Sequence, residues 1–211
     1  MSSKQLISLR IAGVCGILSP VVAFTCIAVA IYYSPWFTWT GNWLSDLGGM
    51  AGETPLWAAR GTASIIFNVG LIITGVMGLV FAYGLRKSPP LTTRLGRLGI
   101  LFLLLDMAAL CAIGIFPETT GFLHTLASLI FFFLVALSLL AIGTAVRISS
   151  EKMVGWLVTL LGVISLCSLL FFGIPHPWGS NAIAEMVPIV SIAAFALVFG
   201  SKLLRNGFES R

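Results

Sequence analysis

The chain has 211 residues, 58% of them hydrophobic and 9% charged, with a formal net charge of +5. A soluble domain carries about 25% charged residues, so this chain has too few to cover a water-facing surface. Composition excludes a soluble globular fold and points to an integral membrane protein, whose positive charge is a matter of topology rather than of nucleic-acid binding.

Six apolar runs follow one another along the chain, at roughly 10–33, 61–85, 96–116, 121–146, 153–173 and 181–202. Each reaches the ~20 residues that an α-helix needs to cross a ~30 Å hydrocarbon core. A membrane barrel would show segments of about ten residues with alternating polarity, and "LFLLLDMAALCAIGIF" does not alternate. The expected fold is therefore all-α: a single integral membrane domain over residues 1–211, built as a six-transmembrane-helix bundle. The first run is read as an uncleaved helix, because it is long for a signal peptide and lacks a small-residue cleavage site.

The connections differ in kind. Residues 34–60 form a long loop with four of the six tryptophans, Trp36, Trp39, Trp43 and Trp57, which suit the membrane interface. Within it, "GNWLSDLGG" alternates Asn42, Ser45 and Asp46 with apolar residues before a glycine pair that permits a tight turn. The stretch "RKSPPLTTRLGR" uses Pro89 and Pro90 to stop the second helix. Residues 117–120 and 147–152 are short enough to make their flanking helices antiparallel neighbours. Close helix contacts are expected at Ala12 and Gly16, and at Gly75 and Gly78, where small residues let backbones approach. The four cysteines fall inside the apolar runs, with no CxxC pair.

Eleven of the twelve Lys and Arg residues belong to the two termini and the 86–97 and 147–152 segments; Arg60 is the exception. Cytoplasmic loops carry the excess of basic residues, so both termini are expected in the cytoplasm. The acids have the opposite bias. Asp46, Glu53, Glu118 and Glu185, with both histidines, His124 and His176, lie toward the outside, and Asp106 lies ~15 Å inside the third run at 1.5 Å per residue. A carboxylate at that depth should face the bundle, be protonated, or have a partner.

Three uses of these groups stay open. His124 and His176, with one or two of Asp46, Glu118 and Glu185, suffice in composition for a zinc site that activates water. The ligands would come from three separate segments, and no HExxH spacing supports them. Alternatively, Asp46, His124 and Glu185 act as acid–base groups without a metal, with Asn42, Ser45, Asp106, Glu118 and His176 binding a head group. In the third reading they are packing hydrogen bonds and caps, as for Glu118 at the start of the fourth helix, where the macrodipole favours an anion.

"NWLSDLGG", "GIFPETTGFLHTLAS" and "AIAEMVPI" resemble motifs of DUF998, a family of six-helix membrane proteins of archaea and bacteria. The matching residues are Ser45, Asp46 and Gly48, then Pro117 and His124, then Glu185. More distantly, the S-D-x-G element and the early histidine of the fourth helix resemble the Frag1/DRAM/Sfk1 family, which implies a role in lipid organisation or processing. A partial analogy is to membrane hydrolases related to alkaline ceramidases, which use three histidines around zinc where this chain has two.

The resulting expectation is a prokaryotic plasma-membrane protein with an outward-facing polar pocket that binds or acts on a lipid or amphiphile. If it is an enzyme, it is a lipid-directed hydrolase or transferase. Zinc is compatible and not required, the partners are membrane lipids rather than nucleic acid, and a homo-oligomer is compatible with the chain. The alternatives are a scaffold without its own ligand and a small-solute transporter, which broken helices or an internal repeat would favour.

Overall fold

In a computed structural model that describes residues 3–50, 61–149, 151–173 and 181–205, the six apolar runs are six helices. They are α1 (Ser3–Tyr32), α2 (Thr62–Leu85), α3 (Arg94–Ile115), α4 (Phe122–Ile148), α5 (Lys152–Ser168) and α6 (Ala182–Leu204). No strand occurs among the described residues. Short 3₁₀ turns occupy Leu44–Gly48, Pro89–Thr92, Glu118–Thr120 and Leu169–Gly173. Each helix is long enough to cross the hydrocarbon core, α5 with its 3₁₀ extension as far as Phe172. Lipid cannot hydrogen-bond a backbone, so a helix, which satisfies its own N–H and C=O groups, is what such a sequence must form.

The helix ends follow local chemistry. Thr93 precedes α3 and its hydroxyl accepts the Gly96 N–H at 3.1 Å, satisfying one of the orphan donors of the first turn. Gly121 joins the Glu118–Thr120 turn to α4 at φ 61°, a left-handed backbone that glycine adopts without strain. Proline interrupts α1 at Pro20 and α6 at Pro188, each removing one intrahelical hydrogen bond.

Successive helices are antiparallel neighbours, and α6 closes the sequence into a ring by packing on α1 and, more lightly, on α5. Small residues set the seams. A Cβ at Gly13 would lie 2.8 Å from the Gly200 carbonyl oxygen, and one at Gly200 would lie 2.9 Å from that of Gly13. Gly84 receives Ala12 and Gly16 receives Phe81, while Gly75 and Gly78 face Cys111 and Met107 of α3. The close contacts expected at Ala12, Gly16, Gly75 and Gly78 thus fall on the α1–α2 and α2–α3 seams. Large apolar side chains such as Val21, Val76, Leu101 and Leu157 point outward, as a lipid-facing surface requires.

The ring has two ends. The proximal end holds the start of α1, the end of α6 and the Pro89–Thr92 turn; there Lys202 pairs with Glu151 and Arg147 lies over Trp156 at 4.2 Å. The distal end holds the Leu44–Gly48, Glu118–Thr120 and Leu169–Gly173 turns, and it is where Ser45, Glu118, His124 and Glu185 meet.

Candidate functional site

The Leu44–Gly48 turn is built by its own motif. Asn42 Oδ1 accepts the Thr38 N–H at 3.0 Å, and Asn42 Nδ2 donates to Asp46 Oδ2 at 2.9 Å. The same Asp46 oxygen accepts the Trp43 N–H at 3.0 Å. Asn42 and Asp46 therefore hold the turn together. Leu44 and Leu47 drive it into the bundle, where both are buried.

Two helices then clamp it from below. Glu185, in the first turn of α6 and 4% exposed, accepts the Leu44 N–H at 2.5 Å. Asn68 of α2 donates from Nδ2 to the Gly48 carbonyl at 2.9 Å. A Cβ on Gly48 would lie 2.6 Å from Asn68 Oδ1, so this contact needs glycine. With the backbone fixed, Ser45 reaches the Glu118–Thr120 turn and donates its hydroxyl to Glu118 Oε2 at 3.1 Å. Glu118 and Asp46 lie near enough to Glu185 for their charges to act on it.

His124 stands one turn along α4, buried. Its Nδ1 is 2.9 Å from the Phe116 carbonyl oxygen, and its Nε2 is 3.3 Å from Ser128 Oγ. A carbonyl only accepts, so Nδ1 carries the proton, and in the neutral ring Nε2 is the acceptor for the Ser128 hydroxyl. Other helical hydroxyls, those of Thr159, Ser165, Ser191 and Ser201, instead donate to the carbonyl four residues back. A hydroxyl facing an oriented imidazole is the arrangement in which a base polarises a nucleophile.

These residues line one groove of about 680 Å³, which Ser45, Glu118, His124, Ser128 and Glu185 share with an aromatic wall. In that wall Trp43 stacks on Phe172 at 6.0 Å, and Phe172 meets Phe132 at 5.2 Å. The groove's other side is open to the lipid face of α4, through Leu129 at 60% exposure and Phe133 at 50%. Inside the ring lies a second cavity, about 90 Å³ and almost wholly apolar, bounded by α1, α2, α3, α4 and α6. Its lining on α6 runs from Glu185 to Ala196, ~16 Å along the axis at 1.5 Å per residue. Ser45, Ser128, Phe132 and Glu185 line both spaces, so groove and cavity meet at those four side chains.

The structure thus gathers Ser45, Glu118, His124 and Glu185 on one surface and puts Asn42 and Asp46 behind it as supports. Asp106 is elsewhere, fully buried in α3, with no hydrogen bond to either carboxyl oxygen. His176 lies outside the described residues, as does Glu53. Among the described residues no three His, Cys, Asp or Glu side chains are grouped to hold a metal ion. Sequence reasoning did not identify Ser128, although its place four residues after His124 was a readable signal. It also took Trp43 only as an interfacial residue, and it gave Asn68 and Phe172 no role.

Fold and composition define a multi-pass α-helical membrane protein with six helices able to span the bilayer. Within that class, the chain belongs to the family described as protein of unknown function (DUF998), whose model matches residues 17–202. No curated protein and no solved structure matches it.

Proposed function

We propose that the protein binds an amphiphile, with the polar head in the distal groove, the first carbons of its chain in the small cavity of the ring and the rest of the chain in lipid along α4. The observation that carries this reading is the junction itself: a polar groove and an apolar cavity meet at Ser45, Ser128, Phe132 and Glu185. The exposed flank at Leu129 and Phe133 gives a ligand dissolved in the bilayer a lateral way in. Ligand sites of this kind are mostly apolar and carry a few placed polar groups that fix orientation.

The test is a titration of the full chain, solubilised in dodecyl maltoside, with dodecyl probes whose heads are cationic, anionic or neutral. At least one probe is expected to bind saturably at one per chain. Ala193→Phe, which puts a ring into the cavity, should weaken that binding at least tenfold. Failure of every head group to bind would leave the scaffold reading instead.

The proposed setting is a prokaryotic plasma membrane with both termini in the cytoplasm and the groove facing outward. Its support is the crowding of basic residues at the proximal end. In a cysteine-free background, an impermeant maleimide should label Thr38→Cys on intact cells, and Thr92→Cys only after permeabilisation. The reverse pattern would invert the protein and leave the groove intact.

A further inference from the structure

We propose that the groove is also a reaction site, in which Ser128 is a nucleophile, His124 is its base, and the pair hydrolyses a carboxylic ester that joins an alcohol head group to a fatty acyl chain. The inference rests on the amphiphile reading above and adds the bond that the site breaks.

The pair is set up by the backbone around it. Phe116 is the first residue beyond α3 and Pro117 follows it, so the chain leaves the helical ladder there. The Phe116 carbonyl takes the His124 Nδ1 proton at 2.9 Å, which fixes the ring and turns the Nε2 lone pair to Ser128 Oγ at 3.3 Å. A nucleophile, a base within its reach and a third group that orients the base are the parts that such chemistry needs. The 3.3 Å spacing is at the loose end, as is common for these pairs until substrate tightens them. Because Ser128 follows His124 by four residues, one face of α4 carries both and fixes their separation.

Position selects the substrate. An ester-linked amphiphile has its acyl carbon at the border between head and chain, and half-buried Ser128 lines both the polar groove and the apolar cavity. The other polar side chains at that border are engaged in building the turn: Glu185 accepts the Leu44 N–H, and Ser45 donates to Glu118. Ser128 instead gives its hydroxyl to the imidazole. In the first half-reaction Ser128 Oγ adds to the acyl carbon while its proton passes to His124 Nε2. The tetrahedral adduct then breaks the bond from that carbon to the alkoxy oxygen, which takes the proton from Nε2 and leaves as the free alcohol. In the second half-reaction water from the membrane interface gives a proton to Nε2 and adds to the acyl carbon. Ser128 Oγ leaves with that proton, and the fatty acid is released. Oxidation states do not change at any step.

The test treats the full chain in dodecyl maltoside with dodecyl fluorophosphonate, a serine-directed probe, and locates the label by peptide mass spectrometry. Labelling is expected on Ser128 and should vanish in Ser128→Ala. Ser201→Ala, at the proximal end, should label as the wild type does. His124→Ala should slow labelling about a hundredfold, the order that a general base contributes, and added imidazole should restore part of the rate. With p-nitrophenyl dodecanoate, the wild type should release nitrophenolate in a burst that matches the chain concentration and then turn over steadily, the mark of an acyl intermediate. Ser128→Ala should show neither phase.

A chain that binds the dodecyl probes saturably but shows no Ser128-dependent ester turnover would overturn the hydrolase inference and leave the amphiphile reading standing. Unchanged labelling in a folded His124→Ala protein would overturn it as well, by removing the base. Should that variant fail to fold, wild type against Ser128→Ala decides. A chain that binds no probe and cleaves no ester would sink both readings.

Discussion

Glu185→Ala should lower the thermal unfolding midpoint of the detergent-solubilised protein and abolish probe binding together. Glu185 makes the contact that ties the long 34–50 segment to α6, 141 residues away in sequence. Its partner, the Leu44 N–H, starts a 3₁₀ turn whose Leu44 and Leu47 are buried, so water does not replace the lost acceptor. Leaving such a donor unsatisfied costs about 1–3 kcal/mol. The consequence reaches the groove, because Ser45 and Trp43 sit on the same short turn. Without Glu185, the Ser45–Glu118 hydrogen bond and the Trp43–Phe172 stack lose the backbone that aims them. Glu185→Gln keeps an oxygen for the Leu44 N–H and should restore most of the stability. An Ala variant that melts like the wild type would show that the turn is held without this contact.

The bundle was legible because the bilayer fixes a length that composition must fill. The fourth run was read as 121–146 and the helix is Phe122–Ile148; its ends moved only as far as capping decides. Which side chains meet at the distal end is another matter. Ser45 and Asp46 are adjacent and both polar, and a three-residue twist alone decides that Ser45 faces Glu118 while Asp46 folds back to Asn42. No local pattern encodes that choice, since it depends on Glu185 and Asn68 gripping the turn from α6 and α2. The fifth run was read as helix to residue 173. Its last residues tighten into a 3₁₀ turn from Leu169, and there Phe172 lies between Trp43 and Phe132. That aromatic wall is built from three distant segments and was invisible in each. Only the depth of Asp106 could be counted from the sequence, and its neighbours could not.

Asp106→Val is expected to stabilise the protein. The residue is 0% exposed, and neither carboxyl oxygen has a hydrogen-bond partner. It lies seven residues from Gly99, nearly two full turns, on the face where a Cβ at Gly99 would abut Ile142 and Ala141 of α4. Asp106 thus falls on the face of α3 that Gly99 turns toward α4. Burying a polar group without a hydrogen bond costs about 1–3 kcal/mol on mutational scales. Valine branches at Cβ rather than at Cγ but is of comparable bulk, so it removes the polar atoms without opening a large void. The expected result is a melting midpoint several degrees higher for Asp106→Val, with Asp106→Asn close to wild type because an amide is equally unpartnered there. Sites that sacrifice stability in this way are commonly kept for what they do, and Leu103, Met107 and Leu110 beside Asp106 on α3 line the inner cavity. The dodecyl titration should therefore be run on the stabilised variant too. Weaker binding in a more stable protein assigns Asp106 to the ligand's path, and unchanged binding confines it to the packing seam. A drop in the Asp106→Val midpoint would mean that the carboxyl group contributes to the fold, and the account of it as an unpartnered cost would be wrong.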